Sequence, residues 1–255
     1  MILDSFKLDG KVALVTGAAR GLGQGIALGL AEAGADIAAL DRAALDETCA
    51  QVAALGRRCH TLVRDLGGTT PETARAIVAE CVAALGRLDI LVNNAGIIRR
   101  APALEFSSDD WEAVLSINLS AAFYLSQATA RHFVAAGQGG KIINLASMLS
   151  FQGGMSVPAY TAAKSGLAGL TRALANEWAA HSINVNAIAP GYMATEVTAG
   201  IRADPARERA VLGRIPAGRW GEPADLKGAV VFLASDAAAY LHGAIVPVDG
   251  GWLAW

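Results

Sequence analysis

The chain has 255 residues, of which 53% are hydrophobic and 17% are charged, and its formal net charge is −2. This length and apolar content indicate one large globular domain, and they exclude disordered and fibrous classes. Because the charge balance provides no basic stripe, a nucleic acid is not an expected partner.

The N-terminus and the cysteines bear on location and redox chemistry. Residues 1–7 contain no basic segment that leads into an apolar run, and no later stretch holds the roughly 20 apolar residues of a membrane span. We therefore expect a cytoplasmic protein that makes no membrane contact. Cys49, Cys59 and Cys81 are odd in number and lack the spacing of zinc ligands. The sequence predicts three buried thiols, with neither a disulfide framework nor a metal site.

Short β-branched runs alternate with longer alanine-rich stretches along the chain. Most of the runs are apolar throughout, which is typical of strands buried on both faces of a parallel sheet. Strands are predicted at 12–16, 36–40, 60–63, 90–92, 141–145, 183–188 and 244–248. Helices are predicted near 21–34, 43–56, 71–86, 108–136, 158–181 and 223–234. The alternation predicts an α/β fold: a single Rossmann-type doubly wound domain over residues 1–255, with a seven-stranded, mostly parallel sheet and helices on both faces.

The first predicted strand leads into a glycine-rich turn that opens a helix. Gly17, Gly21 and Gly23 form a G-x-x-x-G-x-G pattern. Glycines permit a tight turn and the close approach of a pyrophosphate, which then binds the free amides at the helix N-terminus. Asp41 follows Gly21 by 20 residues at the end of the second strand, where an acidic residue can bind a ribose 2′-hydroxyl. The pattern predicts a dinucleotide site; the alternative is a structural turn beside a surface aspartate.

A second pattern lies in the middle of the chain. Ser147 is followed thirteen residues later by Tyr160, and Lys164 comes four residues after that. Residues four apart project from one face of a helix, so Tyr160 and Lys164 share a face. A phenol with a pKa near 10 is a poor acid–base catalyst at neutral pH, but a nearby ammonium lowers that pKa. The pattern predicts proton transfer by Tyr160; the alternative for Tyr160 alone is a core tyrosine with a satisfied hydroxyl.

The segment from about 192 to 220 breaks the strand–helix alternation. It contains Pro205 and Pro216 and is too long for an ordinary link. Long insertions near strand ends are often lids, so we expect residues 192–220 to be a substrate lid.

With Asn93-Asn-Ala-Gly96, Asn118 and Pro190-Gly191, these motifs resemble the short-chain dehydrogenase/reductase family over essentially the whole chain. The resemblance implies hydride transfer between a nicotinamide and a secondary alcohol or ketone. The implied catalytic residues are Asn118, which leads a water relay to Lys164, and Ser147, Tyr160 and Lys164. The implied cofactor-binding residues are Gly17, Arg20, Gly21, Leu22, Gly23, Asp41, Asp65, Leu66, Asn93, Ala95, Gly96, Tyr160, Lys164, Pro190, Gly191, Met193 and Thr195. The family also implies a homotetramer, in which the helices near 108–136 and 158–181 and the C-terminal residues 250–255 lie at subunit interfaces.

The choice of cofactor depends on charges at the ribose end of the site. Asp41 would repel a 2′-phosphate, whereas Arg20 and Arg42 could attract one. A carboxylate bonded to the ribose diol leaves no room for a phosphate, so we predict NAD as the cofactor.

Stretches at 94–100, 146–154, 189–195, 214–221 and 248–253 resemble a narrower subfamily, the 2-dehydro-3-deoxy-D-gluconate 5-dehydrogenases, also called 2-deoxy-D-gluconate 3-dehydrogenases. The implied substrate is a deoxy-sugar acid, whose carboxylate needs a cation and whose hydroxyls need polar groups. Arg99 and Arg100, after the fourth strand, and Gln152 are the candidates, with solvated loop charges as the alternative for the arginines. Two other functions stay open: a reductase of another carbonyl, such as a 3-oxoacyl thioester, and a dinucleotide-sensing protein without turnover.

Overall fold

Seven parallel strands run through the centre of the protein in the computed structural model, which describes residues 1–254. The strands are β1 Val12–Thr16, β2 Asp36–Asp41, β3 Cys59–Val63, β4 Ile90–Asn93, β5 Gly140–Leu145, β6 Ile183–Pro190 and β7 Ile245–Val248. Their order across the sheet is β3-β2-β1-β4-β5-β6-β7, and every pairing is parallel. The doubly wound fold is confirmed, and the sheet is parallel throughout rather than mostly parallel. The strand order reverses between β1 and β4, so ligands are expected outside the carboxyl ends of these strands.

Helices cover both faces of this sheet. They are α1 Gly21–Glu32, α2 Asp46–Ala54, α3 Pro71–Leu85, α4 Ser108–Leu115, α5 Ala121–Ala136, α6 Pro158–Trp178, α7 Glu196–Arg202, α8 Pro205–Leu212 and α9 Lys227–Ala234. The helix predicted over 108–136 is interrupted, because Ser116–Ser120 form one turn of π-helix between α4 and α5. The helices predicted near 158–181 and 223–234 also depart from a continuous α-helix. Each includes a short 3-10 turn, at Ala179–His181 and at Pro223–Leu226 respectively.

The apolar strands explain why the sheet is buried on both sides. Alternate residues of a strand point to opposite faces. In β1, Ala13 and Val15 belong to the core layer that contains α1 and α9, whereas Val12 and Leu14 belong to the layer that contains α3, α5 and α6. Fully burying an aliphatic side chain of this kind stabilises the fold by about 1.5–3 kcal/mol.

The cysteine prediction is wrong for two of the three residues. Cys49 of α2 and Cys59 of β3 form a disulfide, with Cα atoms 5.3 Å apart. Gly56 turns the chain in a left-handed conformation (φ 74°), which brings the end of α2 back beside β3. Cys81 is a buried free thiol, and burial raises its pKa to about 12. A ten-residue separation carries no signal for such a pairing, because it depends on how α2 packs.

The segment 192–220 leaves the domain and returns to it at one point. The Ala194 amide donates to the Gly221 carbonyl (2.7 Å), and the Gly221 amide donates to the Tyr192 carbonyl (2.9 Å). Between these ends lie α7 and α8, neither of which contains a buried residue. The Tyr192 ring packs edge-on against Trp252, with ring centroids 4.8 Å apart. Val211 and Leu212 of α8 also pack against a buried cluster of Met148, Ile215 and Trp252, so the segment touches the domain beyond its base. Its role as a lid stays a prediction.

Among the helices of residues 1–254, none is long and apolar enough to span a membrane.

Candidate active site

The glycine turn between β1 and α1 leaves no space for a side chain at Gly17 or Gly23. Gly17 and Gly21 have φ values of 69° and 59°, which L-residues rarely adopt. A Cβ added to Gly23 would overlap the Gly17 carbonyl oxygen. The turn therefore presents bare backbone and the N-terminus of α1, which is the surface that a diphosphate needs.

The segment after β4 is bonded to this turn. The Asn94 side chain donates to the carbonyls of Thr16 (2.8 Å) and Gly17 (3.2 Å). The Thr16 hydroxyl in turn accepts from the Asn94 and Ala95 amides, each at 3.0 Å. Asn94 and Thr16 are absent from the candidate residues above, although Asn94 lies inside the Asn-Asn-Ala-Gly motif. They hold the glycine turn in its shape.

Asn93, by contrast, is buried and bonded within the core. Its side-chain amide donates to Ser126 of α5 and to Asn144 of β5, each at 2.9 Å. Asn93 is the last residue of β4, so these side-chain bonds tie the sheet to α5. The Asn93 side chain thus has a structural role, and the predicted contact of this residue with a cofactor stays a prediction.

Asp41 lies at the carboxyl end of β2, against the glycine turn. Its carboxylate accepts from the amides of Ala19 (3.1 Å) and Ala43 (3.0 Å). Two carboxylate oxygens offer about four acceptor positions, so acceptor capacity for a ribose diol is retained. Arg42 is exposed. Arg20 forms an ion pair with Glu196 of α7, with both side chains largely exposed, and so links the glycine turn to the lid segment.

The remaining cofactor candidates flank this groove at both ends. Asp65 is exposed and accepts from the Gly67 amide (2.8 Å), whereas Leu66 is buried in the core. Pro190 ends β6, and a Cβ on Gly191 would lie only 2.7 Å from the Asp249 Cα. Leu22, in the first turn of α1, packs against the core, Gly96 faces Asn118, and Met193 is buried. Thr195 precedes α7, and its Cγ2 would be 3.9 Å from a Cβ on Gly21, so the start of α7 lies over the glycine turn.

Ser147, Tyr160 and Lys164 are brought together by β5 and α6. Ser147 is buried just after β5, and its hydroxyl oxygen accepts from the Leu149 amide (3.1 Å). Lys164 is also buried, and its ammonium donates to the Leu145 carbonyl (2.5 Å). The Lys164 Nζ is 5.6 Å from the centroid of the Tyr160 ring. Burial lowers the pKa of Lys164 from 10.5 to about 8.

The pKa of Tyr160 is shifted by burial and by two neighbouring residues. Loss of hydration raises its pKa above the usual value of 10, while a hydrogen bond to Ser147 and the charge of Arg100 act in the lowering direction. The sequence assigned this lowering to Lys164. In the structure, the groups that lower the pKa are Ser147 and Arg100.

Asn118 lies in the π-helical turn between α4 and α5. Its side-chain amide donates to the carbonyls of Ile97 and Val114, both at 2.9 Å. Its Oδ1 is buried without a hydrogen-bond partner, and a Cβ on Gly96 would overlap that oxygen. Single π-helical turns occur often at functional sites, and an unpaired buried acceptor invites an ordered water. Asn118 therefore fits the predicted water relay.

The three substrate candidates occupy different environments. Arg99 pairs with Asp110 of α4, with Nε and Oδ1 3.1 Å apart. Arg100 is close enough to Tyr160 for its charge to act on the phenol. Gln152 is half-buried on the loop after Ser147, and its backbone amide donates to the Met148 carbonyl (3.2 Å). Among residues 1–254, no group of three or more His, Cys, Asp or Glu side chains could hold a metal ion.

A parallel doubly wound sheet, a bare glycine turn at its first crossover and a Ser–Tyr–Lys set at its carboxyl edge define a dinucleotide-binding oxidoreductase. A family model described as enoyl-(acyl carrier protein) reductase matches residues 17–253. The chain belongs to the short-chain dehydrogenase/reductase family, whose members bind a nicotinamide dinucleotide.

Individual relatives cover the chain from end to end. It is 59% identical over 254 residues to the 2-dehydro-3-deoxy-D-gluconate 5-dehydrogenase of Escherichia coli (strain K12), with 100% of both chains covered. A solved Agrobacterium tumefaciens structure, assigned as a 2-deoxy-D-gluconate 3-dehydrogenase with bound NADP, is 55% identical with a TM-score of 0.92, covering 99% of this chain and 100% of the other. The gluconate 5-dehydrogenase of Burkholderia cenocepacia J2315, in complex with NADP and tartrate, is 40% identical with a TM-score of 0.93, covering 100% of both.

Proposed function

We propose that the protein is an NAD-dependent dehydrogenase of a deoxy-sugar acid, of the 2-dehydro-3-deoxy-D-gluconate or 2-deoxy-D-gluconate type. The observation that carries the proposal is the position of Arg100 next to Ala101, whose amide donates to the Ser156 carbonyl (3.1 Å) on the loop between Ser147 and Tyr160. The charge of Arg100 acts to lower the pKa of Tyr160 from this segment. This arrangement offers a carboxylate-binding group next to an alcohol-binding group. The names of the relatives at 59% and 55% identity support the same substrate class.

The groove fits a nicotinamide dinucleotide. The turn through Gly17, Gly21 and Gly23 is a cradle that any Cβ at Gly23 would fill, and the amides of α1 face a diphosphate there. Asp41 would bind the adenosine ribose. When bound, the dinucleotide supplies a nicotinamide ring that accepts or donates hydride.

The residues of the chain then manage the proton and the substrate oxygen. The Ser147 hydroxyl accepts from the Leu149 amide, so its own proton is available for donation, to Tyr160 in the empty site and to the substrate oxygen when substrate is bound. Tyr160 removes the alcohol proton during oxidation and returns it during reduction. Lys164, held by the Leu145 carbonyl, and Asn118, with its unpaired Oδ1, supply the route along which that proton leaves. Arg100 binds the substrate carboxylate and fixes which carbon faces Tyr160.

The preference for NAD rests on Asp41. A hydroxyl donated to its carboxylate forms a charge-assisted bond worth about 1.5–3 kcal/mol, whereas a phosphate would meet a like charge. Arg20 is already paired with Glu196, and exposed ion pairs contribute only about 0–1 kcal/mol. Two solved relatives hold NADP, so the preference is tested by comparing kcat/KM with NAD and with NADP.

The proposal includes a cytoplasmic homotetramer with residues 192–220 as a lid over the substrate. The exposed Trp111 of α4 and the half-buried Phe123 and Tyr124 of α5 support an interface on these helices. Trp252 is packed against Tyr192 within the chain, so the expected C-terminal interface would hold the lid base as well. Trp255, also part of that expectation, lies outside the described residues.

One assay tests the function. Purified protein is given NAD or NADP with 2-deoxy-D-gluconate or with 2-dehydro-3-deoxy-D-gluconate, whose hydroxyls are to be oxidised. In parallel it is given NADH or NADPH with a 3-oxoacyl thioester, whose ketone is to be reduced. Arg100→Met is the matched variant in both arms. The proposal is supported if the protein turns over a sugar acid and the Arg100→Met substitution weakens that turnover. Faster turnover of the thioester would overturn it in favour of a 3-oxoacyl reductase. Dinucleotide binding with no turnover of any carbonyl would indicate a sensor.

A further inference from the structure

The backbone around Arg100 is tied to both walls of the active site. On one side, the Ile97 carbonyl accepts from Asn118 (2.9 Å), and Arg99 pairs with Asp110 (3.1 Å). On the other side, the Ala101 amide donates to the Ser156 carbonyl (3.1 Å). The residue next along is Pro102, which confines Ala101 to an extended backbone. Arg100 itself is the residue between these ties.

The tie to Ser156 has an unusual backbone. Ser156 has a φ of 60°, in the left-handed region that non-glycine residues rarely adopt. It lies on the loop between Ser147 and Tyr160 and is exposed, so burial does not force this conformation. Residues in such sparsely populated backbone conformations are held there by surrounding contacts and cluster at active sites and ligand clamps. The left-handed turn at Ser156 gives its carbonyl the orientation that meets the Ala101 amide.

We propose that Ser156 and Asp110 are positioning residues for substrate specificity: they hold the 97–101 segment from opposite sides so that Arg100 faces Tyr160. The two adjacent arginines then have different tasks. Arg99 anchors the segment through Asp110, and Arg100 is left to bind the substrate carboxylate. The inference rests on the proposed function, because it needs a carboxylate substrate.

The test compares loop variants with an arginine variant in the full-length protein. Ser156→Val places a β-branched residue at a left-handed position, whereas Ser156→Gly adopts that position freely and is the matched control. KM and kcat are measured with the sugar acid and with its methyl ester, and NADH affinity is measured by fluorescence. Arg100→Met serves as the reference for complete loss of the cation.

We expect Ser156→Val to raise KM for the acid by about tenfold. This factor corresponds to the free-energy cost that is typical of a strained backbone conformation. KM for the ester, kcat and NADH affinity should change by less than about threefold, and Ser156→Gly should match the unmodified protein. A merely structural role for Ser156 would move all of these constants together. Such a uniform change, or an unchanged KM for the acid in Ser156→Val, would overturn the inference.

Asp110→Asn is a second test of the proposal. It changes an exposed ion pair, so we expect the variant to fold normally. It should raise KM for the acid and leave KM for the ester unchanged. If Ser156→Val fails to bind NADH, the Asp110→Asn variant alone tests the proposal. An unchanged KM of Asp110→Asn for the acid would then refute it. Failure of the proposed function would give a different result from failure of this inference. If the proposed function is wrong, Arg100→Met itself leaves the KM for every sugar acid unchanged.

Discussion

The buried ammonium of Lys164 makes the stability of the protein depend on pH in a defined window. Burial lowers its pKa from 10.5 to about 8 in the folded chain, so the folded state pays a cost for holding the charge. Below about pH 8 both folded and unfolded chains carry the proton, and the cost is fully present. Between pH 8 and about 10.5 the unfolded chain binds more protons, so the free energy of unfolding rises with pH.

The size of the effect follows from the two pKa values. At about 1.4 kcal/mol per pH unit, the window corresponds to about 3 kcal/mol in favour of the folded state. Lys164→Met removes the charge but also leaves the Leu145 carbonyl without its donor, a loss of about 1.5–3 kcal/mol. At pH 7 these two terms nearly cancel. At pH 10 the unmodified protein should be the more stable of the two by about 2 kcal/mol.

Urea unfolding at fixed protein concentration, without dinucleotide, measures the difference at pH 7, 8, 9 and 10. Taking the difference between the protein and its Lys164→Met variant cancels the titration of every group that the two share. We expect the difference to grow with pH above 8 while turnover is lost in the variant throughout. A difference that is constant with pH, or that shrinks, would show that Lys164 is not a buried cation.

The other predictions concern catalysis, cofactor and assembly. Tyr160→Phe should still bind NADH but lose at least about a hundredfold in kcat, because proton transfer contributes on that scale, and near-normal turnover would contradict the mechanism. Asp41→Ala should weaken both dinucleotides, since Asp41 also holds the Ala19 and Ala43 amides, yet shift the kcat/KM ratio toward NADP by about tenfold or more. Equal kcat/KM with NAD and NADP in the unmodified protein would refute the role of Asp41. Light scattering should give about four times the chain mass of 26.2 kDa, and a monomer mass at micromolar concentration would refute the tetramer.

The sequence predicted the sheet well because its strands carry a strong local signal. Uninterrupted apolar runs such as Val12–Thr16 are compatible with burial on two faces and with little else. The break in the helix over 108–136 has no such signal. Ser116–Ser120 could continue an α-helix by their sequence, and the π-helical turn accompanies tertiary contacts, in which Asn118 donates to the Ile97 and Val114 carbonyls. The disulfide was missed for a similar reason, since it depends on the packing of α2.

Within the site, the motifs located the residues but did not assign their side chains. Asn93 and Asn94 are adjacent in one motif, yet one bonds the core between β4 and β5 while the other bonds the glycine turn. Adjacent residues at a strand end point in opposite directions, so their roles follow from the register of β4 rather than from residue type.

The same division of labour applies to Arg99 and Arg100, and there it bears on specificity. A double arginine suggests two cations for one carboxylate, but Arg99 is already neutralised by Asp110. Arg100 is therefore the arginine left for a substrate carboxylate, and its charge also acts to lower the pKa of Tyr160. Under the proposed function, one cation would serve both recognition and acid–base chemistry. A substrate carboxylate that pairs with Arg100 weakens this lowering effect on Tyr160, so the substrate that binds most tightly need not be the one oxidised fastest.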